Sequence, residues 1–396
     1  MNQGTETLLD DLIDQHLPRW IALRHDLHAH PELRYEEVRT SDVIADVLRD
    51  IGFEVTRGLG GTGVVASLPG IDSSRAILLR ADMDALPIRE TSQHAYASRH
   101  EGRMHACGHD GHTVMLLAAA RVLKQLPRLP GSVHFVFQPA EEGGAGAKRM
   151  LDEGLLERFP SEAVFAMHNW PSLPAGHFGL RAGPIMAAGV RFRISVKGVG
   201  AHAAQPHRGI DPVPVACALV LQFQTLCARH KDPVDPAVLS VCMIHAGETD
   251  NVVPESVEMR GTIRTLSSRL LNDIKEGVDR LCQGAAHSYG VRIETEFFQY
   301  YPATVNTKDE TDFCATVLRA TFGDEHVHAD VGPNMTSEDF GFMLEARPGA
   351  YVLAGSGGDA GLHNPAYDFN DALIPAGVRY WTALAHAWFR RPAATR

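Results

Sequence analysis

At 396 residues the chain is long for one compact core, so two domains are expected. Charged residues make up 21% and hydrophobic residues 44%, an ordinary globular composition, and a net charge of -11 without any basic run argues against nucleic acid as a partner. A small molecule or a second copy of the chain is the expected partner.

Residues 1–30 mix Asp10, Asp11, Asp14 and His16 with Leu8, Leu9, Leu12 and Ile13, the pattern of an amphipathic helix and not of a charged, then apolar leader. No apolar stretch approaches the roughly 20 residues of a membrane span, so no membrane association and a cytoplasmic location are expected. Cys107, Cys217, Cys227, Cys242, Cys282 and Cys314 show no paired spacing, which predicts reduced thiols. His25, His28 and His30 close the first helical stretch and read as surface or packing residues.

A second helix is predicted from about residue 39 to 50, stopped by Gly52. Short strands follow at 53–55 and 63–68, with Gly58, Gly60 and Gly61 in the turn between them. Residues 76–81 form an apolar run, interrupted by Arg80, that leads to Asp82 and Asp84. Such a run implies a strand buried on both faces, whose end opens onto a crevice. The stretch His105-Ala-Cys107-Gly-His109-Asp110-Gly-His112 comes next. Cys107 and His109, two apart, can point to one side of an extended or turning backbone and make half a metal site. A helix opens near Asp110 and carries the apolar run 114–120. Residues 132–140 form another buried strand, ending at Glu141 and Glu142, and a helix follows at about 146–156. Side chains leaving a strand alternate in direction, so one of these glutamates can bind metal while the other does a different job. A third buried strand, 163–170, carries His168 at its end. Strands alternating with helices make this half an α/β layer structure.

The pattern changes near residue 183. Val190, Phe192, Ile194 and Val196 alternate with Arg191, Arg193, Ser195 and Lys197, as in a sheet with one wet face. A helix capped by Asp211 and Pro212, strands at 238–245 and 257–263, a helix at about 267–289 and a strand at 291–297 complete a β-α-β-β-α-β order, that of a ferredoxin-like unit. The expected division is therefore a larger domain at 1–183 and 298–396, and a smaller one at 184–297. Beyond it lie Met335-Thr-Ser-Glu338-Asp339-Phe340, a buried strand near 350–354, Gly361-Leu-His363, and a closing helix at 372–389 with Val378, Trp381, Leu384, Ala385 and Trp388 at core spacing.

Together the larger domain offers Cys107, His109, Glu142, His168 and His363 as donors, with Glu141 as a further carboxylate. That mixture suits zinc, with manganese, cobalt or nickel as alternatives. Five donors suit two ions about 3.5 to 4 Å apart, which would lower the pKa of a shared water to roughly 7. A glutamate beside that water can take its proton and later give it to a leaving amine.

The motifs Arg80-Ala-Asp-Met-Asp-Ala-Leu-Pro87, Met104-His-Ala-Cys-Gly-His-Asp-Gly-His112, Gln138-Pro-Ala-Glu-Glu-Gly143, Ser337-Glu-Asp-Phe340 and His363-Asn-Pro resemble those of the aminoacylase/carboxypeptidase-type dinuclear metallohydrolases. Within them they are most similar to the amidohydrolase branch of hippurate, N-acyl-L-amino acid and indole-acetyl-amino acid hydrolases. The resemblance runs from about His25 to His363. It implies an α/β, zinc-peptidase-like catalytic domain with a mixed sheet, interrupted by a ferredoxin-like α+β lid through which the chain forms a homodimer or homotetramer. It implies two divalent ions, zinc or manganese, held by Cys107, His109, Glu142, His168 and His363, with Glu141 as general base. In the lid, His202 matches a histidine that steadies the oxyanion from the partner subunit, and Asn251 matches a position near substrate. The implied reaction is hydrolysis of an N-acyl amino acid, with hippurate as the leading substrate. A dipeptidase or carboxypeptidase of the same family and a non-catalytic metal- or ligand-binding protein are the alternatives. Asp82, Asp84 and His112 are expected to support the ligands from behind. Arg264 is a candidate for gripping a substrate carboxylate, against the plainer reading of a solvated strand face.

Overall fold

The computed structural model describes residues 3–72 and 74–391, so the first two residues of the expected N-terminal helix lie outside the described range. The chain divides into two compact units, one of residues 1–185, 305–332 and 339–396, the other of 186–304 and 333–338.

In the larger unit, α1 (Gln3–Ala29) and α2 (Val38–Ile51) precede β1 (Val55–Leu59) and β2 (Gly63–Leu68). Gly52 ends α2 in the left-handed conformation, at φ 93°, and its N–H returns to Arg49 O. The next amide, Phe53 N, is also tied to the helix end through Leu48 O at 3.0 Å. Pairing therefore starts at Val55, two residues later than the apolar pattern suggested. Strands β3 (Ala76–Asp82), β4 (Ser132–Gln138) and β5 (Ala163–Trp170) are buried along nearly their whole length. Their side chains leave no polar face for water, as expected of strands covered on both sides.

The eight-stranded sheet of this unit is mixed. β3 pairs in parallel with β4 and β5, β5 pairs in parallel with a later strand at Gly349–Gly355, and β2 joins β4 antiparallel. Register places Asp82 beside Gln138 and Leu353 beside His168. The carboxyl ends of the parallel strands thus share one edge, where ligands of open α/β sheets bind. Helix α3 (His109–Gln125) follows β3 through the His105–His112 stretch, and its residues from Val114 to Ala120 are wholly buried. A helix apolar all round belongs in the interior, so its first turn is held rigidly at the strand ends. The helix expected at 146–156 is broken into Gly146–Asp152 and Leu155–Arg158, because Gly154 turns left-handed at φ 89°.

The smaller unit follows the expected β-α-β-β-α-β order: β6 (Ala188–Lys197), α4 (Pro212–Arg229), β7 (Ala237–Ala246), β8 (Ser256–Thr265), α5 (Ser268–Tyr289) and β9 (Arg292–Tyr301). The sheet runs β7-β8-β6-β9 with every pair antiparallel, which is the ferredoxin-like arrangement. Val190, Phe192, Ile194 and Val196 are buried, while Arg191 and Arg193 face outward. Asp211 caps α4 by accepting from Val213 N at 2.9 Å, and Ser267 caps α5 by accepting from Leu270 N at 3.3 Å. Contrary to the expectation that no stretch approaches a membrane span, α4 is long and apolar enough to cross a membrane by length and composition. Its Val215, Leu219, Phe223 and Leu226 lie in the core of the smaller unit, while Leu221 is exposed.

Candidate active site

Among the described residues of the larger unit, side chains that could hold a metal gather at the carboxyl ends of the parallel strands. Cys107, Glu142 and His363 form one group, His109, Glu141 and Glu142 a second, and Asp82, His109, His112 and His168 a third. Within each group the donor atoms lie within 4.8 Å of one another. The groups share His109 and Glu142, so they form one continuous cluster. Cys107 Sγ is 3.4 Å from His168 Nε2, and His363 Nε2 is 3.1 Å from Glu142 Oε1.

Backbone geometry aims these groups. Gly108, between Cys107 and His109, is left-handed at φ 91°, and a Cβ there would stand 2.2 Å from Asn169 Oδ1. His363 is left-handed as well, at φ 63°, with its N–H bonded to Ala106 O at 2.8 Å. Such conformations in side-chain-bearing residues cost about 1–3 kcal/mol and persist where surrounding contacts hold them. His168 Nδ1 donates to Asn169 O at 2.7 Å, which directs its Nε2 lone pair toward Cys107.

Supporting groups surround the cluster. His109 Nδ1 lies 3.3 Å from Asp84 Oδ1, and Asp84 also accepts from the backbone of Glu141 (3.1 Å) and Glu142 (3.0 Å). His112 Nδ1 is bonded to Asp82 Oδ1 at 2.6 Å, and its Nε2 meets Asn169 Oδ1 at 2.7 Å. The Asn169 side-chain amide in turn donates to Tyr367 Oη at 2.6 Å. Buried Arg80 joins Asp82 (2.7 Å), Gln138 (2.7 Å) and Asp339 (3.0 Å), so the strand ends are tied together by charge-assisted hydrogen bonds.

The electrostatics show why a cation fits. Burial pushes the Cys107 thiol well up, and Glu142, Glu141 and Asp82 push it further. Burial alone would lower the His109 imidazolium, but Asp82, Asp84 and Glu142 outweigh it and raise the group to about 10. Burial holds His168 well below the ordinary histidine value. Among the described residues, Nε2 of buried His109 has no hydrogen-bond partner and stands 3.7 Å from Asp82 Oδ2. A soft thiol, imidazoles and several carboxylates around an unsatisfied ring nitrogen suit a borderline divalent ion, and His109 with Asp84 has the carboxylate–histidine pairing typical of metal sites.

A buried ionic network, of which only Asp110 lies in a motif read from the sequence, backs this cluster. Arg24 Nε is 2.8 Å from Asp371 Oδ1, Arg24 Nη1 is 3.0 Å from Asp368 Oδ1, and His28 Nδ1 is 2.8 Å from Asp110 Oδ2. His28 is completely buried, where the sequence suggested a surface or packing role. Burial opposes its charge, but Asp110 and Glu90 raise it to about 9. No local signal marked Arg24, because its partners lie 347 and 344 residues away.

The smaller unit carries the remaining candidates. His202 and Asn251 come together on a two-stranded ribbon in which His202 pairs with Val252 and Ala203 N donates to Asn251 O at 3.0 Å. Both side chains are exposed. Arg264 is half-buried, with its guanidinium packed so closely over Gly189 that a Cβ there would meet Nη1 at 2.1 Å. Burial, with Arg191 nearby, lowers its pKa. It is not on a fully solvated strand face.

The sequence profile of Peptidase family M20/M25/M40 matches residues 78–387. The chain is 37% identical over 363 residues to a hippurate hydrolase of Campylobacter jejuni, covering 92% of this chain and 94% of that protein. It is 37% identical over 369 residues to an N-acetylcysteine deacetylase of Bacillus subtilis, covering 93% and 96%. Among solved structures, a dinuclear metal-binding peptidase of the M20 family from Bacillus subtilis superposes with a TM-score of 0.81 at 34% identity, covering 95% of this chain and 99% of that one. The chain belongs to the M20/M25/M40 peptidase family, and it is a hydrolase of that family's amidohydrolase branch.

Proposed function

We propose that the protein hydrolyses the amide bond of N-acyl amino acids of the hippurate type, releasing a carboxylic acid and a free amino acid. The observation that carries this reading is the convergence of Cys107, His109, Glu142, His168 and His363 around Glu141 in a chain of this family. Those five side chains are the proposed ligands of two divalent ions, zinc or manganese, with cobalt or nickel as alternatives. When bound, the ions supply Lewis-acid polarisation of the carbonyl and acidification of water. Glu141 takes the proton of the attacking water on a carboxylate oxygen and delivers it to the departing amine nitrogen. His202 donates a hydrogen bond to the developing oxyanion, Asn251 contacts substrate, and Arg264 grips the substrate carboxylate with its fork of N–H groups.

For assembly, the reading is a homodimer or homotetramer formed through the smaller unit. Support comes from β7, an edge strand of its sheet with Val238, Met243 and Ile244 exposed, since a long apolar edge invites pairing with another chain. A cytoplasmic location completes the reading.

The test is amine release from hippurate, N-acetyl amino acids and Gly-X dipeptides by purified protein, before and after chelation and with zinc or manganese restored. Activity on N-acyl amino acids that is lost on chelation and regained with metal is expected. Preference for dipeptides would replace this reading with that of a dipeptidase or carboxypeptidase. Glu141→Gln should keep its metal and lose at least about 100-fold in kcat, the scale of a general base. Near-normal turnover in that variant would remove Glu141 from the mechanism.

A further inference from the structure

We infer that Glu37, seconded by Arg34 and Tyr35, is a positioning residue that holds the Ala140–Gly144 loop so that Glu141 points correctly; this rests on the reading of Glu141 as general base. The loop needs such a holder. Ala140 is left-handed at φ 55° and Gly143 at φ 79°, while Glu142 departs from helical geometry. An alanine at positive φ costs about 1–2 kcal/mol, which the surroundings must offset.

Three consecutive amides of the loop end on two carboxylates. Ala140 N donates to Glu37 Oε1 at 2.8 Å, Glu141 N to Asp84 Oδ1 at 3.1 Å and Glu142 N to Asp84 Oδ2 at 3.0 Å. Glu37 is completely buried, and its other oxygen accepts from Thr62 Oγ1 at 2.7 Å, so both ends of the carboxylate are fixed. Arg34 and Tyr35, just ahead of Glu37 in the chain, grip the loop's carbonyls. Arg34 Nη1 donates to Glu142 O at 2.9 Å, and Tyr35 Oη donates to Gly144 O at 2.6 Å. Glu142 is thereby held at both its N–H and its carbonyl.

The brace is itself rigid. Glu37 is the N-cap residue of α2, and the Glu32 carboxylate accepts from Arg39 N at 3.0 Å and Thr40 N at 2.8 Å in the first turn of that helix. The loop also folds closely on itself. A Cβ on Gly146 would stand 1.7 Å from Pro139 O, and one on Gly144 would stand 2.7 Å from the Ala140 Cβ. Glu37 acts through the backbone of Ala140 and so positions the reacting group without touching it. Supporting residues of this kind commonly change activity or metal affinity by about 10–100-fold.

The test compares Glu37→Ala, Glu37→Gln and Tyr35→Phe in the metal-loaded enzyme, reading kcat, KM, bound metal and amide hydrogen exchange of residues 140–147. Glu37→Ala should lower kcat by about 10–100-fold, with KM and metal content nearly unchanged and faster exchange confined to the loop. Glu37→Gln, which keeps an oxygen facing Ala140 N, should restore most of both. Tyr35→Phe, a milder change should Glu37→Ala fail to fold, is expected to raise loop exchange and lower kcat by a few-fold. Unchanged exchange in the variants, or metal lost in proportion to kcat, would overturn the positioning role. Faster exchange in the variants of a wild-type protein inactive on every N-acyl amino acid would uphold the brace and instead overturn the proposed function.

Discussion

Gly108→Ala probes how the Cys107–His109 segment is aimed. Gly108 has φ 91°, so any side chain there costs about 1–2 kcal/mol from conformation alone. The added Cβ would also lie 2.2 Å from Asn169 Oδ1 and 2.7 Å from Tyr367 Oη. Ordinary carbon–oxygen approach is roughly 3.3 Å or more, so Asn169 must retreat by about 1 Å. That retreat breaks its 2.7 Å contact with His112 and its 2.6 Å hydrogen bond to Tyr367, each a buried interaction whose loss costs about 1–3 kcal/mol. With both interactions lost, the expected destabilisation is about 3–8 kcal/mol, measured by urea unfolding of the metal-free protein, with weaker metal retention in the loaded form. Gly102→Ala is the control: its φ is 75°, but nothing lies within 4 Å of the added Cβ, so only the conformational cost of about 1–2 kcal/mol should emerge. Equal, small losses in the two variants, with metal binding intact, would refute the argument that Asn169 and Tyr367 fix this segment.

Arg24→Ala should destabilise the protein by about 3–5 kcal/mol, because Asp368 and Asp371 would lose their guanidinium partner and Asp110 would keep only His28; a denaturation midpoint close to wild type would contradict this. His134 supplies a pH test. Burial lowers it from 6.5 to about 4, so between those values the unfolded chain binds the extra proton and stability rises with pH. Its contribution is complete above about pH 6.5 and falls away toward pH 4 by about 3 kcal/mol, one pKa unit being worth about 1.4 kcal/mol. His134→Gln should flatten the stability profile across that window, and an unaltered slope would show that His134 does not set it.

Much of the architecture was legible because its determinants are local. The largely apolar runs of β3, β4 and β5 announced strands covered on both faces, and the alternation along β6 announced a sheet with one wet face. Gly52, Asp211 and the glycines near residue 60 marked ends and turns through their own backbone preferences. The site was partly legible for the same reason. Cys107 and His109 stand two apart, and Glu142 and His168 sit at strand ends, so donor chemistry could be read before geometry. The break at Gly154 was missed, since a glycine within a helical pattern is often tolerated.

Local sequence thus suffices to assign most of the strands and helices and to point to candidate metal-binding side chains near the strand ends. Folding in three dimensions was needed to make Asp84 accept from the amides of Glu141 and Glu142, to join His112 to Tyr367 through Asn169, and to set Glu37 against Ala140. The difference is one of range. Backbone preference and hydrophobic period act over a few residues, whereas Arg24 meets Asp371 across 347 positions and Glu37 meets Ala140 across 103. A buried carboxylate is tolerated only where folding supplies its donors, and those donors carry no mark of their destination in the linear chain.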